Sequence, residues 1–202
     1  MIRIVDSVFI KSAVKIQDYP SSEFVDIAFA GKSNVGKSSM INTILKRKKI
    51  AKVSSTPGKT KLVNFFKITC KTESNDNAYF NLVDLPGYGF AKVSKKEKNS
   101  WKKMIDDYFT SRVQLRGIVI LIDIRHKADE KDKVMINMAK ERKIPYLVAA
   151  TKADKIPKSK IKATIKQRSV EHQINESEII AFSSLKNIGY NDLLIWMESR
   201  TL

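Results

Sequence analysis

The chain has 202 residues, a length at which one well-buried core is expected. Lys and Arg total 38 against 21 Asp and Glu, and the net charge of +17 points to polyanionic partners or to a lysine-biased source. The one cysteine, Cys70, rules out an internal disulfide, and His126 and His172 are too few to build a metal cluster with it. No apolar run reaches the ~18 residues of a membrane span, and MIRIVDSVFIKSAV is too interrupted for a signal peptide, so a cytoplasmic protein is expected.

Residues 1–22 read as a lead-in that ends in the turn-like cluster DYPSS. The remainder, 23–202, reads as one domain. EFVDIAFA (23–30) is a buried strand, and 37–48 is a helix. KLVNFFKITC (61–70) and AYFNLVDL (78–85) flank a polar turn and predict a hairpin. A helix follows at 96–112, then the strand GIVILIDI (117–124) and a helix at 128–142. PYLVAAT (145–151) and SEIIAFSS (177–184) are strands, with helices at 157–172 and 189–199. Long apolar strands spaced by helices predict an α/β fold: a mostly parallel six-stranded sheet, one antiparallel edge strand, and helices on both faces. Ligands of such sheets bind at the carboxyl ends of the strands. Gly31, Gly36, Gly58, Gly87 and Gly89 all fall in loops on that side.

Gly31-Lys32-Ser33-Asn34-Val35-Gly36-Lys37-Ser38 fits G-x-x-x-x-G-K-[ST], after a strand and before a helix. Glycines let backbone N–H groups wrap around phosphates, and the helix N-terminus adds a favourable dipole. In this pattern the lysine, Lys37, reaches the β- and γ-phosphates and Ser38 holds Mg²⁺. A nucleoside triphosphate is implied, without a choice of base.

Thr151-Lys152-Ala153-Asp154 supplies that choice. A carboxylate at Asp154 can accept from both N1–H and N2–H₂ of guanine, whereas adenine would leave it unpaired. The stem of Lys152 can lie over the base. Asp84-Leu85-Pro86-Gly87 ends a strand, with Asp84 expected to hold Mg²⁺ through water and the Gly87 N–H to touch the γ-phosphate. Thr60, in SSTPGKT, stands where a threonine would bind Mg²⁺ and sense the γ-phosphate. Backbone N–H groups of Ser183 and Ser184 are placed to meet guanine O6.

Taken together, these stretches resemble those of the EngB family of ribosome-biogenesis GTP-binding proteins, also called YihA or YsxC. The resemblance rests on FAGKSNVGKSSMIN (29–42), SSTPGKTKLVNFF (54–66), LVDLPGYGFAKVSK (82–95), LIDIRH (121–126), TKADK (151–155) and FSS (182–184). It implies a Ras-like P-loop GTPase fold, GTP or GDP with Mg²⁺, and a role in assembly of the large ribosomal subunit, with normal cell division and septation depending on it. Motifs and resemblance together place nucleotide contacts at Gly31, Lys32, Ser33, Asn34, Val35, Gly36, Lys37, Ser38 and Ser39. Further contacts fall at Gly58, Lys59, Thr60, Asp84, Leu85, Pro86, Gly87, Thr151, Lys152, Ala153, Asp154, Phe182, Ser183 and Ser184. The family usually has Arg at the positions of Lys32 and Lys59.

After Asp84–Gly87 comes Tyr88, where many GTPases carry a water-positioning glutamine. Slow intrinsic hydrolysis is expected, and no general base is assigned; Lys37, Thr60 and Asn34 are the catalytic candidates. Asn34 has two open readings, a ligand for K⁺ beside the phosphates or a support of the loop turn. Asp123, Arg125 and His126 lie beside no evident nucleophile, which favours structure or partner contact. Basic runs at 46–52, 92–103 and 155–168 suggest a surface for ribosomal RNA or a large-subunit precursor, bound by a monomer. Lys158, Lys162 and Lys166 are spaced to share one helix face. A nucleotide kinase or ATPase, and a binding module without turnover, are the competing classes.

Overall fold

The computed structural model describes residues 1–45, 62–88 and 95–202, with no side-chain account of 95–98. The strands are β1 (Arg3–Ala13), β2 (Asp26–Gly31), β3 (Val63–Lys71), β4 (Asn77–Asp84), β5 (Leu115–Asp123), β6 (Tyr146–Thr151) and β7 (Ile179–Ala181). The helices are α1 (Lys37–Ile44), α2 (Lys95–Ser111), α3 (Glu130–Glu141), α4 (Ile161–His172) and α5 (Tyr190–Thr201). The sheet order is β1-β3-β4-β2-β5-β6-β7. β4, β2, β5, β6 and β7 run parallel, and β3 is antiparallel to both of its neighbours.

Strict alternation along the central strands builds two cores. Ile27 and Phe29 of β2, with Val119 and Leu121 of β5, face α1 and α5. Ala28 and Ala30, with Ile118, Ile120 and Ile122, face α2 and α3. Both faces are covered, which is why these strands read as unbroken apolar runs. The hairpin of β3 and β4 forms in register from Asn64 opposite Asp84 to Lys71 opposite Asn77.

The sheet has seven strands among the described residues, where the sequence pattern predicts six. The seventh is β1, which lies outside the hairpin and pairs antiparallel with β3. Its pairing shifts register between Ile4 and Asp6 and again between Phe9 and Lys11. Each shift turns the following side chains to the other face and spoils the two-residue period that marks a strand. The lead-in is therefore part of the sheet up to Ala13. α4 also starts later than its pattern suggests: Lys158–Lys160 form a separate 3-10 turn, so Lys158 precedes the helix that carries Lys162 and Lys166.

The amino end of the sheet is tied by a buried polar cluster. Asp26 accepts from Arg112 Nε at 2.7 Å, Tyr108 Oη at 3.0 Å and Asn81 Nδ2 at 2.8 Å. Asp26 and Arg112 are both buried, so the charges satisfy one another rather than water. At the opposite edge, Gly31, Asp84, Asp123 and Thr151 end β2, β4, β5 and β6 side by side.

Candidate nucleotide-binding site

The phosphate loop runs from the end of β2 into α1. Gly36 has φ 107°, in the left-handed region that favours glycine, and precedes the first helical residue, Lys37. Gly31 is required for a different reason: an added Cβ would lie 2.8 Å from Val35 Cγ1 and 3.0 Å from Leu121 Cβ. Asn34 is also left-handed, at φ 64°, as its turn reading expects. Lys37 Nζ forms an ion pair with Asp84, so the two residues assigned to phosphate and metal meet across the site. The Ser33 hydroxyl is buried without a hydrogen-bond partner among the described residues. An orphan hydroxyl, helix-start amides and an acidic strand end make a donor and acceptor set that fits a phosphate with a hard cation.

Pairing of the phosphate loop with the segment after β4 extends past the strand ends. Ser33 N–H donates to Tyr88 O at 3.0 Å, and Tyr88 N–H donates to Gly31 O at 3.3 Å. The Tyr88 ring is buried and its hydroxyl donates to Asp132 at 2.9 Å. Lys32 Nζ reaches Asp132 at 2.8 Å and Asp129 at 3.0 Å at the start of α3. Burial pushes Asp132 up despite Lys32, and burial together with the Asp132 charge holds the Tyr88 phenol well above its ordinary range. Tyr88 therefore stays a neutral donor turned toward α3. Trp101 Nε1 donates to Pro86 O at 3.0 Å and fixes the same segment to α2.

The base end is built from the loops after β6 and β7. Thr151 Oγ1 lies 2.6 Å from Val35 O and 2.9 Å from Ile122 O, sharing one proton between the phosphate loop and β5. Ala153 N–H donates to Phe182 O at 3.0 Å, which joins the two base loops. Ser183 Oγ donates to Asp154 at 2.6 Å and lowers its carboxyl, keeping the acceptor ionised. The Ser183 N–H is engaged by Ile188 O at 3.0 Å. Its side chain faces Asp154, and its amide is held within the chain. Lys152 is left-handed at φ 61°, and its Nζ lies 2.9 Å from Asn34 O and 2.9 Å from Asp123 Oδ2.

Asp123 also accepts from Arg125 Nε at 2.9 Å, Nη2 at 2.8 Å and backbone N–H at 3.1 Å. Burial raises its carboxyl, but the hydrogen bonds from Arg125 and Lys152 outweigh burial and hold it well below the ordinary carboxylate range. A folded value below the unfolded one gives stability that is full at neutral pH. That stability is lost as pH falls below about 4 toward the folded value. Melting temperatures of the parent are expected to drop more than those of Asp123→Asn between about pH 5 and pH 3. Parallel melting profiles would remove Asp123 from the acid-labile groups.

The site thus joins Gly31–Ser38, Asp84–Gly87, Thr151–Asp154 and Phe182–Ser184 along one sheet edge. Gly58, Lys59, Thr60 and Gly89 lie outside the described residues. Asp132, and the partnership of Asp123 with Lys152, carry no local sequence signal.

A family model described as 50S ribosome-binding GTPase matches residues 26–152. A probable GTP-binding protein EngB of Clostridium beijerinckii is 48% identical over 193 residues, covering 95% of this chain and 93% of that protein. The chain belongs to the EngB family of GTP-binding proteins. Another EngB relative, from Ligilactobacillus salivarius, is 44% identical over 94% of this chain and 93% of its own length. The fold agrees with the crystal structure of a probable GTP-binding protein engB, at TM-score 0.63, 18% identity, and coverage of 88% and 98% of the two chains. Era of Aquifex aeolicus bound to GDP and AlF₄⁻ superimposes with TM-score 0.67 at 25% identity, covering 88% of this chain and 56% of Era. The EngB motifs span both halves of the site, from FAGKSNVGKSSMIN to FSS.

Proposed function

We propose that this GTPase is a GTP-gated assembly factor that binds ribosomal RNA of the large-subunit precursor. The carrying observation is a block of exposed lysines next to the base loop. Lys158, Lys160, Lys162 and Lys166 are all exposed, and none forms an ion pair among the described residues. Uncompensated lysines on one surface are what a phosphate backbone binds, through release of its counterions. Among relatives, the matching family model is described as ribosome-binding, and an Era structure contains nucleotides 1506–1542 of 16S ribosomal RNA. In this reading the protein is a cytoplasmic monomer, and cell division and septation depend on it through ribosome supply.

Ser38 and Thr60 would hold Mg²⁺, with Asp84 acting through water, and the ion would supply charge neutralisation at the β- and γ-phosphates. Lys37 must leave Asp84 to reach those phosphates. Tyr88, turned to Asp132, does not orient water, so hydrolysis is slow without a stimulating ribosomal particle. The Asn34 side chain is exposed beside the loop, where it can serve K⁺ in the place of a catalytic arginine. Single-turnover rates are then higher in K⁺ than in Na⁺, and equal rates in the two salts would remove the cation.

Co-sedimentation with large subunits tests the main reading. Binding is expected to be tighter with GTP than with GDP and to fall steeply with salt. Changing Lys158, Lys162 and Lys166 together to Ala flattens the salt slope and leaves nucleotide affinity intact. An unchanged slope moves the RNA surface elsewhere, and a parent without salt dependence ends the RNA reading.

A further inference from the structure

Asp123 has a job that its neighbours define. It ends β5 directly opposite Thr151, the residue before Lys152, in the register of β5 with β6. Its side chain is only 12% exposed and takes four donors: the Arg125 backbone N–H, Arg125 Nε and Nη2, and Lys152 Nζ. Lys152 in turn is held at two points, the Asp123 carboxylate and the Asn34 carbonyl of the phosphate loop, each at 2.9 Å. The same residue has a left-handed backbone, uncommon for a side chain with a Cβ. Such strain persists where the surroundings over-determine it, and it concentrates at binding sites.

We propose that Asp123 is a positioning residue for guanine-nucleotide binding, fixing the Lys152 side chain as a rigid shelf between the base loop and the phosphate loop. The proposal rests on the assignment of Lys152 and Asp154 to the base. A free lysine side chain carries substantial rotamer entropy, which a ligand would have to remove on binding. Here two acceptors have already stretched the stem before the nucleotide arrives, and preorganisation of this kind strengthens binding without adding a contact to the ligand. Arg125 acts one step back. Its planar fork grips Asp123 bidentately and keeps the carboxylate aimed at Lys152. The aspartate–arginine pair after β5 thus supports base recognition without touching the base.

The test measures dissociation of fluorescently labelled GDP by stopped flow from the full chain. Asp123→Ala and Lys152→Ala are each expected to speed dissociation about tenfold, the size of one lost charge-assisted hydrogen bond. The double variant is expected to be no faster than Lys152→Ala, because Asp123 acts only through that lysine. Asp123→Asn keeps the shape and an acceptor without the charge, and gives an intermediate rate even if Asp123→Ala folds poorly. Discrimination between guanosine and xanthosine diphosphates stays with Asp154 and is unchanged in the Asp123 variants. Unchanged dissociation in both Asp123 variants, or additive effects in the double variant, would overturn the positioning role. If Asp154→Asn also fails to shift preference toward xanthosine diphosphate, the assignment of the base loop itself is wrong. If it does shift and the Asp123 variants are silent, only the positioning role is lost.

Discussion

Asp26→Ala is expected to lower the unfolding free energy by about 3–5 kcal/mol, the range for breaking a buried ion pair by removing one partner. The loss comes less from the missing attraction than from what stays behind. Arg112, with a side chain 6% exposed, would keep its charge beneath Pro20 and α2 with no counter-ion, and Tyr108 and Asn81 would each lose an acceptor. The cluster lies at the amino end of the sheet, away from the nucleotide loops. GDP affinity of the folded fraction should therefore be close to that of the parent. Urea unfolding of the two proteins checks the prediction, and a loss under about 1 kcal/mol would mean that water enters and solvates Arg112.

The second large effect concerns base recognition. Asp154→Asn is expected to weaken GTP and GDP binding by about 2–3 kcal/mol, roughly a hundredfold, because a charge-assisted bidentate contact is lost. The variant should admit xanthine nucleotides, whose C2 carries an oxo acceptor in place of the guanine amino donor. The hydrogen bond from Ser183 to Asp154 can persist to an asparagine oxygen, so the loop itself should hold. Isothermal titration with GDP and xanthosine diphosphate is the measurement. Unaltered guanine affinity would detach Asp154 from the base.

Much of this was legible in the sequence because its signals are local. The unbroken apolar run Ile27-Ala28-Phe29-Ala30 marks β2, and the spacing of Gly31, Gly36 and Lys37 marks the phosphate loop whatever the rest of the chain does. What escaped depends on distance or irregularity. The bulges of β1 break its period, so Ile2 and Ile4 are buried while the consecutive Val8, Phe9 and Ile10 are exposed. The return of the chain at Ile188, which engages the Ser183 amide, has no local signal either. Lys32 with Asp132, and Lys152 with Asp123, are partners that no spacing rule connects, because only the sheet order brings their loops together. Thr60 and the basic run 46–52 fall outside the described residues.

The placement of β1 sets an order of events during synthesis. Arg3 stands opposite Lys71 and Ala13 opposite Val63, so the ladder of this strand with β3 joins residues made far apart in time. At ribosomal elongation rates β1 leaves the tunnel on the order of seconds before its partner exists. Through that interval Val8, Phe9 and Ile10 have no sheet to join, and the loop that must close afterwards is long. The charge of Lys11, next to that apolar run, disfavours pairing with a neighbouring chain while the strand waits. Among the described strands the first to be made therefore cannot be the first to be placed: β1 has no partner until β3 has followed it.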